Sequence, residues 1–204
     1  KDMKKTTLIL LAILCTITMK AQNLYFKHLG TEDGLSQVRT QAIYQDETGA
    51  VWIGTAEGLS RYNGTSVKTY SLPDSLLSLS SGGIDQLCGN KQGKIYLLSQ
   101  GTATEFDISK EKFRLFAQDI RSIFCEKDTL WTASKDGIYF YKQESEKPEL
   151  FARFAETSYQ ATHLYVQKDT VWALSPIKLY AIPRKSPSAQ KTLATFKGDT
   201  QCLY

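Results

Sequence analysis

Four times this chain repeats one short template: an apolar residue, an aromatic, and a hydroxyl three positions after the aromatic. The copies are Val51-Trp52…Thr55, Ile95-Tyr96…Ser99, Leu130-Trp131…Ser134 and Val171-Trp172…Ser175. The aromatics Trp52, Tyr96, Trp131 and Trp172 follow one another at spacings of 44, 35 and 41 residues. A period near 40 residues fits a four-stranded blade that must stack on its neighbours to bury its faces. The expected fold is therefore all-β, a β-propeller of about four blades of four antiparallel strands in an incomplete ring. The four aromatics are its structural repeat anchors.

Other columns keep the same frame. Seven residues after each anchor stand Leu59, Ala103, Ile138 and Leu179; ten after stand Tyr62, Phe106, Tyr141 and Ile182. An apolar residue also recurs upstream, at Ile43, Leu87, Ile123 and Leu164, and the last two repeats share Lys-Asp-Thr-(Leu/Val)-Trp at 127–131 and 168–172. The repeats fall near 37–72, 81–118, 119–156 and 159–197, with the start of a fifth at 200–204, where Leu203-Tyr204 matches Leu164-Tyr165. Turn residues divide the first repeat into strands at Gln41–Gln45, Ala50–Thr55, Leu59–Tyr62 and Ser66–Ser71. Gly58 supplies a positive φ between the second and third of these. Because blades stack face to face, the Trp anchors read as packing between blades.

The start of the chain follows another pattern. Met3-Lys4-Lys5 is a basic segment, Leu8–Ile17 an apolar run of ten residues, and Ala21 a small residue suited to signal peptidase. Such a run is too short to cross a bilayer core of ~30 Å as a helix. Residues 1–21 are expected to be a signal peptide cleaved between Ala21 and Gln22, placing the partial propeller 22–204 in the periplasm. Cys15 follows Leu14, where a lipoprotein signal needs a small residue. The whole chain carries 25 basic and 21 acidic residues; the first 21 residues hold four lysines and one aspartate, which leaves 21 basic against 20 acidic. A nearly neutral mature chain without a basic run is not a nucleic-acid binder.

No motif nominates chemistry. Cys88, Cys125 and Cys202 remain after cleavage, an odd number that cannot pair fully within the chain. Cys88 occupies the column of Tyr44, Phe124 and Tyr165, which gives it a buried apolar role rather than a redox one. With His28 and His163 the only histidines, no metal site is expected. Nucleophile elbows, paired zinc histidines and phosphate loops are all missing, so no catalytic residue and no cofactor is assigned. Asp46, Glu57 and Asp85 fall in or beside turns, where carboxylates cap the backbone. Asn63-Gly64-Thr65 matches a glycosylation acceptor but reads first as a turn.

The segment Phe26-Lys27-His28-Leu29-Gly30-Thr31-Glu32-Asp33-Gly34-Leu35-Ser36, followed by Ala42–Thr55 and Gly58-Leu59-Ser60-Arg61-Tyr62-Asn63-Gly64, closely resembles the two-component-regulator propeller repeat. Tyr96, Thr102 and Lys178 depart from that pattern in later repeats. The resemblance implies the exported sensor region of a membrane sensor kinase, most familiarly the hybrid two-component systems of gut Bacteroidetes. It also implies an oligosaccharide or similar cue as ligand, with the remaining blades and downstream signalling domains as partners, and allows a homodimeric parent. The chain then reads as the amino-terminal fragment of a longer frame, not itself an enzyme. The alternative is an exported carbohydrate-active propeller enzyme, sialidase-like or lyase-like, suggested by the run Asp46, Gly49, Trp52, whose spacing differs from the sialidase aspartate box. Ligand-contacting residues stay unassigned, although Tyr62, Tyr139 and Tyr180 offer rings for sugar stacking. Tyr25–Leu29 resembles the outer strands and is expected to complete a last blade.

Overall fold

The structure is a computed structural model that describes residues 5, 26–73, 76, 83–142, 145, 147–154 and 161–196. The expected signal peptide apart from Lys5, its Ala21–Gln22 cleavage site, Cys202 and the fifth repeat at 200–204 lie outside the described residues.

Strands account for nearly all regular structure. The first sheet holds β1 (Thr40–Gln45), β2 (Val51–Thr55), β3 (Gly58–Tyr62) and β4 (Val67–Tyr70); the second holds β5 (Gln86–Asn90), β6 (Lys94–Ser99), β7 (Thr102–Asp107) and β8 (Lys112–Ala117). The third is β9 (Ile120–Glu126), β10 (Thr129–Ser134), β11 (Gly137–Tyr141) and β12 (Glu149–Arg153), and the fourth β13 (His163–Gln167), β14 (Thr170–Leu174), β15 (Lys178–Pro183) and β16 (Lys191–Thr195). Each sheet is an antiparallel meander, and the first strands β1, β5, β9 and β13 lie side by side in that order. Four blades thus stack around a common inner row, the all-β propeller architecture that the repeat implied. Phe26–Leu29 departs from expectation: it forms no strand, and Phe26 is exposed. A strand needs a partner for its backbone groups, and no described strand pairs with it.

Alternation along the strands decides which blade each side chain meets. In the first blade Tyr44, Trp52, Arg61 and Lys68 are cross-strand partners in one row, so all four point toward the second blade. Trp52 is fully buried, with ring centroids 5.7 Å from Phe106 of the second blade and 6.0 Å from Tyr70. Tyr96 packs on Phe116 at 5.4 Å, and Phe116 on Tyr141 of the third blade at 4.7 Å. Trp131 packs on Phe151 at 5.1 Å and lies under the guanidinium of Arg184 from the fourth blade at 5.3 Å. Each anchor therefore faces the following blade. Trp172, at the same place in the fourth, is only half-buried, and no described blade covers its face.

Blade contact is close enough to dictate small residues. A Cβ on Gly54 would sit 2.7 Å from the Ile84 side chain, so only glycine lets β2 approach the chain leading into the second blade. Polar side chains tie the inner strands together. Gln86 Oε1 accepts from the Ile123 amide at 2.9 Å and from the Ser122 hydroxyl at 3.1 Å, while Gln86 Nε2 donates to the Thr162 carbonyl at 3.1 Å. Ser122 Oγ in turn accepts from the Leu164 amide at 3.0 Å. One glutamine and one serine thus link blades two, three and four.

Turns are held by short polar side chains acting as local acceptors. Asn63 Oδ1 accepts from the amides of Thr65 and Ser66, Asn90 Oδ1 from those of Gln92 and Lys94, and Asp107 Oδ1 from those of Ser109 and Lys110. This is the turn role expected for Asn63-Gly64. The β2–β3 turn ends on Gly58 at φ 150°, whereas in the second blade the positive φ moves to Gln100 and Gly101. Thr102 can therefore stand where the first repeat has glycine.

Candidate functional site

Between the second and third blades, on the rim that carries the β5–β6 and β9–β10 turns, lies a cleft of about 300 Å³. Three strands of the second blade build one wall through a single cross-strand row, Tyr96 opposite Glu105 opposite Arg114. Glu105 is buried at 5% exposure. It accepts from Lys94 Nζ at 2.9 Å and Arg114 Nη2 at 3.2 Å, so the carboxylate is taken out of water with two cations beside it. Both cations reach solvent at their other side, which keeps donors on the cleft surface.

The remaining lining is aromatic and polar. Tyr96, Phe116 and Tyr141 meet across the blade boundary, and Arg114 lies 5.9 Å over the Phe116 ring. Burial, and then the Glu105 carboxylate, push the Tyr96 hydroxyl well above its usual range; burial raises Tyr141 as well. Both phenols stay neutral at ordinary pH. Gln92, Asp128, Lys142 and Ser145 complete the rim. The lining thus mixes charged and polar groups with aromatic side chains that are packed on one another. Among the described residues no group of three or more His, Cys, Asp or Glu could hold a metal.

The aromatics offered by the sequence do not converge. The Tyr62 hydroxyl donates to the Gly64 carbonyl in a turn of the first blade, Tyr139 donates to Asp136 at 2.6 Å on the third, and Tyr180 is buried beside Phe154. Asp46, the first residue of the sialidase-like run, is occupied structurally. Its Oδ1 accepts from the Thr48 amide at 2.9 Å and the Ala50 amide at 3.1 Å, and its Oδ2 accepts from Trp52 Nε1 at 2.8 Å. Burial alone would raise this carboxyl, but the bonds from Thr48 and Trp52 hold it below its usual value. Glu105 carried one overlooked signal: it is an acid nine residues after an anchor, in a column otherwise filled by Arg61, Phe140 and Ala181.

The loop before β1 shows why its motif has its composition. Gly34 takes φ 103°, the left-handed region, and its carbonyl accepts from Thr69 Oγ1 at 2.7 Å. Leu35 is buried, and Ser36 Oγ bonds Thr55 Oγ1 at 2.8 Å within a hydroxyl ladder that continues from Ser60 to Thr69. The Gly-Leu-Ser run thus clips the loop across β2, β3 and β4. Residues 34–57 match the family described as Two component regulator propeller. That match spans the loop before β1 together with β1 and β2 of the first blade. A 64-residue stretch that is 39% identical to Histidine kinase P4 of Formosa agariphila covers 30% of this chain and 5% of that protein. Among solved structures, the extracellular domain of the hybrid two component system BT3049 from B. thetaiotaomicron superposes with TM-score 0.68 at 19% identity, over 87% of this chain and 27% of that one. PorZ, a surface component of the type-IX secretion system of Porphyromonas gingivalis, superposes with TM-score 0.67 at 14% identity, over 85% and 24%. At those identities the likeness concerns the fold. The chain spans about a quarter of those structures and a twentieth of the kinase. No helix among the described residues is long and apolar enough to cross a membrane.

Proposed function

We propose that this chain is part of the periplasmic ligand-sensing propeller of a two-component sensor, responding to an oligosaccharide or similar cue. The observation that carries the reading is the regulator-propeller repeat at 34–57, seated in the first of four stacked blades. The cleft between the second and third blades offers a polar ligand hydrogen-bonding side chains at Lys94, Arg114 and Asp128. The chain supplies binding surface, while the remaining blades and the downstream signalling domains of a homodimeric parent convert occupancy into signal. Coupling can be no larger than the difference in ligand affinity between the two signalling states. Export follows from residues 1–21, with the mature chain starting at Gln22.

Deleting residues 22–204 from the parent is expected to abolish induction of its target genes by the cue, with membrane insertion of the remainder confirmed by immunoblot. Unchanged induction would remove the sensing role. Release of reducing sugar from a polysaccharide panel by purified 22–204 would replace the sensor with the carbohydrate-active enzyme. Amino-terminal analysis of the exported product should begin at Gln22; retention of residues 1–21 would overturn the processing step alone.

A further inference from the structure

Cys88 and Cys125 come from adjacent blades, and their sulfurs lie 2.6 Å apart. Cys88 is on β5, in the row with Tyr96 that faces the third blade; Cys125 is on β9, one residue after Phe124 and so on the opposite side of its strand, facing back. The two side chains confront each other across the blade boundary. Aligned by repeat, Cys88 shares a column with Phe124, and this confrontation stays hidden.

We propose that Cys88 and Cys125 form a disulfide that staples the second blade to the third along the inner strands. A bonded pair of sulfurs sits at ~2.05 Å, so closure needs a movement of roughly half an ångström. The surroundings favour oxidation over metal binding: Cys88 sits in an apolar cluster with Tyr96, Leu98, Ile123 and Leu130, with no third ligand in the described residues. The residues paired with the two cysteines, Tyr96 and Leu130, both line the cleft, which puts the bond under its floor.

The two thiols differ in access, which sets the order of steps. Cys88 is buried, and that burial holds its thiol protonated, while Cys125 is partly exposed. The Cys125 thiolate therefore attacks one sulfur of an exchangeable disulfide, such as that of a thiol oxidoreductase or oxidised glutathione, and expels the other as a thiolate. Cys88 then gives up its proton and attacks Cys125 Sγ, expelling the second thiolate. Two protein S–H bonds are lost and one S–S bond forms. The external disulfide is reduced to two thiols, which take up the two protons.

The test equilibrates the purified full chain in glutathione buffers from fully reducing to fully oxidising, traps free thiols with N-ethylmaleimide and maps tryptic peptides. The expected product in oxidising buffer is the peptide Thr69–Lys91 joined to Ser122–Lys127, with both cysteines protected from alkylation. The oxidised chain should melt roughly 5–10 °C above the reduced one. Cys125→Ser should lose both the linked peptide and the shift. A Cys88→Ala, Cys125→Val double variant keeps the site apolar, and its melting should ignore the redox buffer. Quantitative alkylation of both cysteines in the oxidising buffer would overturn the proposal. So would linkage of either to Cys15 or Cys202 instead, or a redox-dependent melting shift that survives Cys125→Ser.

Discussion

Asp46 joins a turn to an anchor. Its two oxygens serve different masters, one the backbone of the β1–β2 turn and the other the indole of Trp52. Asp46→Ala would leave a buried indole N–H without its acceptor and uncap the turn, and is expected to lower stability by ~1–3 kcal/mol in urea unfolding. Because the folded carboxyl lies below its ordinary value of 3.8, this contribution is fully present above about pH 4 and lost as pH falls through the lower folded value. The stability of the native chain should thus drop more steeply on acidification than that of Asp46→Asn. A turn-capping role for Asp46 was legible, since carboxylates in Asp-Glu-Thr-Gly cap turns. Its bond to Trp52 six residues on was not, because no spacing rule reports which way an indole turns. Glu105 was illegible for a related reason: its partners Lys94 and Arg114 come from the two flanking strands and meet it only once the register is fixed.

At the scale of a strand and its turn, residue choice depends on which turn type is used. Gly58 stands at φ 150°, and a Cβ there would meet the Tyr70 carbonyl oxygen at 2.9 Å. Gly58→Ala is expected to cost about 1–3 kcal/mol, measured by the shift of the urea midpoint, because both the backbone conformation and the space forbid a methyl group. The same column tolerates Thr102 because the second blade turns through Gln100 and Gly101. Strands of the first blade could be placed to within a residue or so from turn chemistry alone: Val51–Thr55 was expected from Ala50, and Gly58–Tyr62 from Leu59. The Lys-Asp turns at 127 and 168 show the other side, since both lysines adopt positive φ, 52° and 51°, without the glycine or asparagine that announces it. Facing across blades was the hardest to read. A repeat alignment matches a residue with its equivalent, whereas contact pairs a forward face with a backward one.

The position of a blade in the stack sets what its anchor is worth. Trp52 and Trp131 are buried against a following blade, and truncation of either to alanine should cost ~3–5 kcal/mol. Trp172 occupies the equivalent place with its face half open, so Trp172→Ala in this same chain should cost less than half as much, as read from calorimetric midpoints. Equal losses at all three sites would mean that the fourth anchor is covered in solution. The period announced this stacked architecture, but it could not say how the blades communicate.

Gln86 and Ser122 answer that through the backbone. Because one glutamine holds the Ile123 amide, and the serine it bonds holds the Leu164 amide, exposure of one N–H group disturbs the bonds that hold the other. In native-state hydrogen exchange they should report one shared opening event despite lying in different sheets. Gln86→Leu should uncouple them and speed Ile123 exchange by about tenfold, the loss of ~1.4 kcal/mol of protection. Three sheets with separate ladders would then, in wild type, open as a single foldon along their inner strands.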